Sequence, residues 1–203
     1  MKNKKLFAAA LTAALAVSMM GTSVMAADPT GTTEFSYTPG TSGPSDPIDP
    51  SDPENDENNW LIKYPRQIVL TDSNEGTSTA SEAATYGHKL TFKVEQKVAG
   101  DNGSNVTAGN VGTGIVVAPA AQTGVWESGT DIKMSGTDSS TVMMQLADST
   151  PTKYLSPAET MLTLTDQAAE DDGYAVIKEG QVEQAKDGVT YTTNVKFTFT
   201  RGA

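Results

Sequence analysis

The chain contains no cysteine, a single histidine and few aromatic residues, 6% of the total. Lack of cysteine excludes a disulfide framework, a zinc finger or other thiolate metal site, a cysteine nucleophile and a lipid-modified N-terminal cysteine. One imidazole, His88, without any thiol leaves no transition-metal cluster to build. Basic residues are scarce as well, with 14 Lys and Arg against 25 Asp and Glu for a net charge of −11. Phosphate backbones are held by clustered Lys and Arg, so nucleic acid is not an expected partner. What remains is 203 residues with 37% apolar side chains, enough for the core of one modest domain.

The first 26 residues have the pattern of a secretory signal peptide. Lys2, Lys4 and Lys5 form a basic start, Leu6 to Met20 is an apolar run, and Val24-Met25-Ala26 offers a small-residue cleavage site. The run is short for a membrane helix, and no later stretch approaches the roughly 18 apolar residues that one needs. The C-terminal Arg201-Gly202-Ala203 carries neither a sorting motif nor a hydrophobic tail. The expectation is an exported chain with no membrane span after cleavage, free or held to a surface by non-covalent contacts. Loss of the three leader lysines takes its net charge from −11 to −14.

Past the leader, residues 31–38 alternate enough for a short strand with Phe35 and Tyr37 on one side. Residues 39–59 then change character: Pro39, Pro44, Pro47, Pro50 and Pro53 are half of the ten prolines, and six acids lie among them. Helices and inner strands do not tolerate that proline density, so an extended or disordered acidic spacer without regular structure is expected. In a polyproline II conformation Asp46, Asp49 and Asp52 would line one edge. Calcium is one reading of that row, but the glycine-containing D-x-D-x-D-G pattern is absent and a solvated spacer suits the sequence better.

From Trp60 to the C-terminus the hydrophobic period is two. His88, Leu90, Phe92, Val94, Gln96 and Val98 fall on one face of a strand, and Val189, Tyr191, Thr193, Val195, Phe197 and Phe199 on one face of another. Shorter strands are predicted at 60–64, 66–71, 114–118, 130–134, 140–147, 160–165 and 174–178. Turns are expected at Asp72-Ser73-Asn74, Asp101-Asn102-Gly103, Ser128-Gly129, Asp171-Asp172-Gly173 and Asp187-Gly188, and a short helical turn at Ser156-Pro157-Ala158-Glu159. Many short half-buried strands predict an all-β domain, an antiparallel sandwich or jelly-roll-like fold spanning 60–203 and including the 31–38 strand.

Catalytic chemistry is sparse. His88 has no G-x-S-x-G elbow to serve and lies on an apolar face. Val111-Gly112-Thr113-Gly114 reads as a turn and not as a phosphate loop, because no helix follows it. Glu170, Asp171 and Asp172 read as a solvated loop and not as a glycosidase pair. No catalytic residue, metal ligand or cofactor is expected. Trp60, Tyr64 and Trp126 would stack on sugar rings if exposed, although Trp60, Ile62 and Tyr64 also fit one buried strand face.

Three segments together resemble the WxL domain of Gram-positive surface proteins. The first is the strand Thr33–Tyr37, the Pro/Asp stretch, and then Trp60-Leu61-Ile62-Lys63-Tyr64-Pro65. The second is Tyr86-Gly87-His88-Lys89-Leu90-Thr91-Phe92-Lys93-Val94, where His88 and Leu90 stand at the positions of the family's Trp and Leu. The third is the closing Tyr191–Thr200, with Phe197 and Phe199 in those two roles. The resemblance covers most of residues 31–203 but lacks both signature tryptophans. It implies a non-catalytic protein held non-covalently to the cell wall, with peptidoglycan or another wall polymer, and companion surface proteins, as partners. The contact residues it suggests, with the exposed-aromatic reading, are Trp60, Tyr64, His88, Leu90, Trp126, Phe197 and Phe199. A second expectation is a structural or adhesive subunit, pilin-like or matrix-like, in which the 31–38 strand completes a neighbour's sheet. A secreted carboxylate glycosidase ranks last.

Overall fold

The computed structural model describes residues 30–40, 54–55, 60–96, 114–165 and 168–201. The leader, most of the acidic spacer and the Asp101-Asn102-Gly103 turn lie outside them. The described chain is all-β: twelve strands joined into one curled sheet, with helix limited to short turns.

The sheet is organised around its last and longest strand. β12 (Tyr191–Arg201) alternates as the sequence requires: Tyr191, Thr193, Val195, Phe197 and Phe199 are buried, while Thr192, Asn194 and Thr200 are exposed. One of its edges is covered by β1 (Thr30–Tyr37), which pairs antiparallel from Thr30↔Thr198 to Tyr37↔Tyr191. On the other edge it pairs first with the end of β8 (Asp131–Gly136), then with β6 (Ile115–Pro119). β6 carries β10 (Leu162–Leu164), and β1 carries β4 (Gln67–Leu70) in parallel.

From β8 the sheet continues through β9 (Thr141–Ala147), β11 (Glu170–Ile177), β5 (His88–Gln96) and β3 (Trp60–Lys63) to β2 (Glu54–Asn55). β7 (Trp126–Ser128) is a side branch on β8. The curl brings the β5 region over β12, so Phe92 meets Phe197 edge-on at 5.2 Å and Phe199 at 6.3 Å. Burying each such ring contributes about 1.5–3 kcal/mol. These rings sit in one core cluster with Phe35, Tyr37, Leu90 and Val195.

Four expectations need correction. The all-β class is as expected, but the strands form one curled mixed sheet and are not purely antiparallel, because β12 bridges β1, β6 and β8 and the β1–β4 pair is parallel. Glu170, Asp171 and Asp172 are not a loop but the start of β11, paired with Lys93, Phe92 and Thr91. Gly173 is there for close approach and not for a turn, since a Cβ on it would lie 2.5 Å from the Met161 sulfur. Ser156–Glu159 is a β-turn closed by the Glu159 N–H donating to the Ser156 carbonyl, not a helical turn. Finally, the spacer is not devoid of regular structure, because Glu54 and Asn55 pair with Leu61 and Trp60.

A second, small apolar cluster lies on the opposite face of the sheet. Ala147 and Val176 are covered by Ala83 of α1 (Ala83–Tyr86), flanked by Tyr154 and Tyr174. Tyr154 fixes this cover by donating to the Thr77 carbonyl at 2.7 Å.

Candidate functional site

The residues singled out from the sequence divide into a core group and an edge group. Tyr64, Leu90, Phe197 and Phe199 are 8%, 0%, 0% and 1% exposed. Tyr64 lies against Phe199 at 5.6 Å, and its ring passes over Gly31, where a Cβ would sit 2.4 Å from the ring. Glycine at that position of β1 is therefore what lets the strand and the ring coexist. These four side chains hold the fold together and present no surface to a polymer.

His88 opens β5 opposite Ala175, half-buried on the same side as Leu90. Burial disfavours its charged form and pulls its pKa below the ordinary histidine value. Trp126 is half-buried on β7, packs on the core and donates its indole N–H to the Ala120 carbonyl at 2.9 Å. Trp60 lies in β3 opposite Gln96, and its side chain is outside the description. The structure thus joins Tyr64 with Phe199 and leaves Trp126 as a satisfied, partly covered indole.

Several carboxylates on the described surface are tied to lysines, in separate places. Lys89 on β5 donates to Asp172 on β11 at 2.8 Å, and Thr91 donates to the other oxygen of the same carboxylate at 2.6 Å. Burial alone would raise the Asp172 pKa, but these two hydrogen bonds and the lysine charge outweigh it and hold the carboxyl below its usual range. Glu170 reaches Lys93 at 4.0 Å on the same face, whereas strand alternation turns Asp171 to the other. Asp131 accepts from Lys178 at 2.6 Å and from the amide of buried Gln145 at 3.0 Å, and the same amide also donates to the Thr130 hydroxyl.

At one end of the sheet Asp138 accepts from Lys186 at 2.7 Å and from the Ser140 hydroxyl and N–H, and its pKa is driven down by the lysine hydrogen bond above all. The Tyr191 hydroxyl meets Ser140 at 3.0 Å and accepts from the Lys186 N–H. Tyr37, stacked 6.2 Å from Tyr191, donates to Asp72, and burial with that carboxylate pushes its pKa up. Each network ties together segments that are far apart in the sequence or joins a strand to a neighbouring turn. Among the described residues no group of three or more His, Asp or Glu is disposed to hold a metal ion.

The feature that sequence reasoning passed over is a polar face on the outer side of the sheet. Opposite the core, β1 presents Thr30, Thr32, Glu34 and Ser36, directly across from Thr198, Lys196, Asn194 and Thr192 of β12. β4 extends the rows with Gln67 and Val69. The alternation that named the inward residues also fixed this outward set, which offers hydroxyls, amides, one lysine and the Glu34 carboxylate, the last accepting from the Gln67 amide, in regular rows. Comparison with family models, curated proteins and solved structures finds no match to this chain.

Proposed function

We propose that the protein is a non-catalytic, exported surface protein held non-covalently to the bacterial cell wall, a divergent relative of WxL-domain proteins. The observation that supports this reading is the convergence of the three resembling segments. The first segment meets the third through β1 along β12 and through Tyr64 on Phe199, and the second segment meets it through Phe92 on Phe197. Segments that pack on one another as a unit are what a shared domain requires. With Leu90, Phe197 and Phe199 buried, the wall contact falls to the exposed face of β1 and β12. Its hydroxyl and amide rows suit the hydrogen-bonding groups of a glycan or peptide polymer.

The experiment is co-sedimentation of the mature chain with purified peptidoglycan over a range of salt and calcium. Pelleting with the wall is expected, and Asn194→Ala with Lys196→Ala should reduce it while the melting temperature stays within a few degrees. No co-sedimentation in any condition would refute wall attachment. Undiminished binding by the double variant would move the contact to another face.

A further inference from the structure

Five of the described lysines, Lys89, Lys93, Lys153, Lys178 and Lys186, lie within 4.0 Å of a carboxylate. Lys196, half-buried at the middle of β12, forms none of these pairs. The acid closest to it in the register is Glu34, which stands opposite Asn194 and one diagonal step away. The Glu34 carboxylate accepts from the Gln67 amide at 3.2 Å, on the β4 side of β1 and away from β12.

The neighbours of that ammonium are donors. The Lys196 N–H donates to the Gln122 carboxamide oxygen and its carbonyl accepts from the Ala120 N–H, both on the β6 side of β12. Its pair with Thr32 on β1 is therefore the close, non-hydrogen-bonded kind, with Cβ atoms about 4.5–5.5 Å apart. Asn194 is the next outward residue along β12, about 6.6–6.8 Å away. The Thr32 hydroxyl and the Asn194 carboxamide are exposed and have no partner among the described residues, and the Gln122 nitrogen remains to donate. An ammonium flanked by a hydroxyl and two carboxamides suits a carboxylate, which accepts at about four lone-pair sites and gains most from a charged donor.

Acidic sugars and peptides both bring carboxylates, and the face distinguishes them. Sugar rings are held by aromatic faces, and no aromatic ring stands among the outward residues of β1, β4 and β12. An extended peptide repeats every two residues, at the same spacing of about 6.6–6.8 Å as the outward side chains along each strand, so its successive carbonyls meet successive donors. We infer that the outward face of β1 and β12 binds a peptide through a free carboxylate seated at Lys196, with Thr32, Asn194 and Gln122 donating around it. This rests on the contact face proposed above and specifies its ligand as the peptide portion of the wall and not the glycan.

The test compares intact peptidoglycan with the same material after an amidase has removed its peptides. In parallel, isotope-labelled mature chain is titrated by NMR with the tripeptide Ala-Ala-Ala and with its C-terminal amide. Peptide removal should abolish pelleting of the protein. The free acid should shift the backbone resonances of Thr32, Asn194 and Lys196 and bind about tenfold tighter than the amide, the effect of one hydrogen bond to a charged group. Lys196→Gln should erase that difference, and Lys196→Arg should keep it. Acid and amide that titrate alike would refute the carboxylate site. So would stripped glycan that pellets the protein as well as intact wall, although wall attachment itself would then stand. A carboxylate-dependent shift at Lys196 without pelleting by either preparation would uphold the site and remove wall attachment.

Discussion

His88 is the one side chain whose charge changes near neutral pH, so it reports on its own surroundings. Its pKa is lowered by burial, which means the folded state holds the imidazole neutral while the unfolded chain protonates it at the ordinary value near 6.5. Below that value the unfolded state binds more protons, so the stability present above pH 6.5 is lost as pH falls toward the folded-state pKa. Proton NMR of the sole imidazole should give a midpoint below 6.5. Thermal melts between pH 7.5 and 5.5 should lose stability in wild type and stay flatter in His88→Trp. An unshifted or raised midpoint would mean that the imidazole is better solvated, or better paired, than its half-buried place on β5 indicates. The sequence made this residue legible as one of an inward-facing row, because strand alternation needs only side-chain polarity. It could not single out any outward row as a contact surface, since Thr, Asn and Lys at alternate positions are what any solvated strand carries.

At the scale of elements, β12 and β5 were legible nearly to their ends because long runs of alternation leave one register that buries the apolar set. That register makes a sharp comparison. Phe197→Ala removes a ring packed on Phe92 and should cost about 3–5 kcal/mol, roughly 6–20 °C in Tm at about 2–4 °C per kcal/mol. Lys196→Ala, on the outward face, should shift Tm by a degree or two. Equal effects in a denaturation series would break the assigned facing. Of the three shortest strands, β10 fell within the apolar alternation of 160–165, whereas β2, two residues inside the proline-rich stretch, and β7, which runs into the Ser128-Gly129 turn, escaped the sequence reading. Asp171-Asp172-Gly173 misled it because the same residues that favour turns serve here to pair with Lys89 and Thr91 and to admit Met161. The turn at 156–159 holds a further lesson. Ala158 has φ +64° at the position where such turns favour glycine. The left-handed conformation costs an L-residue about 1–2 kcal/mol, more than the roughly 0.5–1 kcal/mol that glycine loses in chain entropy. Ala158→Gly should therefore raise Tm slightly, and a clear drop on melting would show that the alanine methyl makes packing contacts worth more than the strain.

For the molecule as a whole, net charge decides the sign of its response to salt. The mature chain predicted from the sequence carries −14, and bacterial wall polymers that bear phosphate or carboxylate are also anionic. Long-range electrostatics then opposes approach, and the wall attachment proposed above would have to come from short-range hydrogen bonding at an exposed face. Monovalent salt shortens the screening length from about 30 Å at 0.01 M to about 8 Å at 0.15 M, which weakens the repulsion but leaves short-range contacts largely intact. The bound fraction in the wall sedimentation assay should therefore rise as sodium chloride increases across that range. A basic wall-binding module would do the opposite, because its attraction is what salt screens. Calcium at matched ionic strength should raise binding further if carboxylates on the two partners share the ion, and a chelator should return it to the sodium chloride curve. A bound fraction that falls steadily with salt would locate the attraction in a cationic patch, at odds with the charge of this chain and with the hydroxyl-and-amide face as its point of contact.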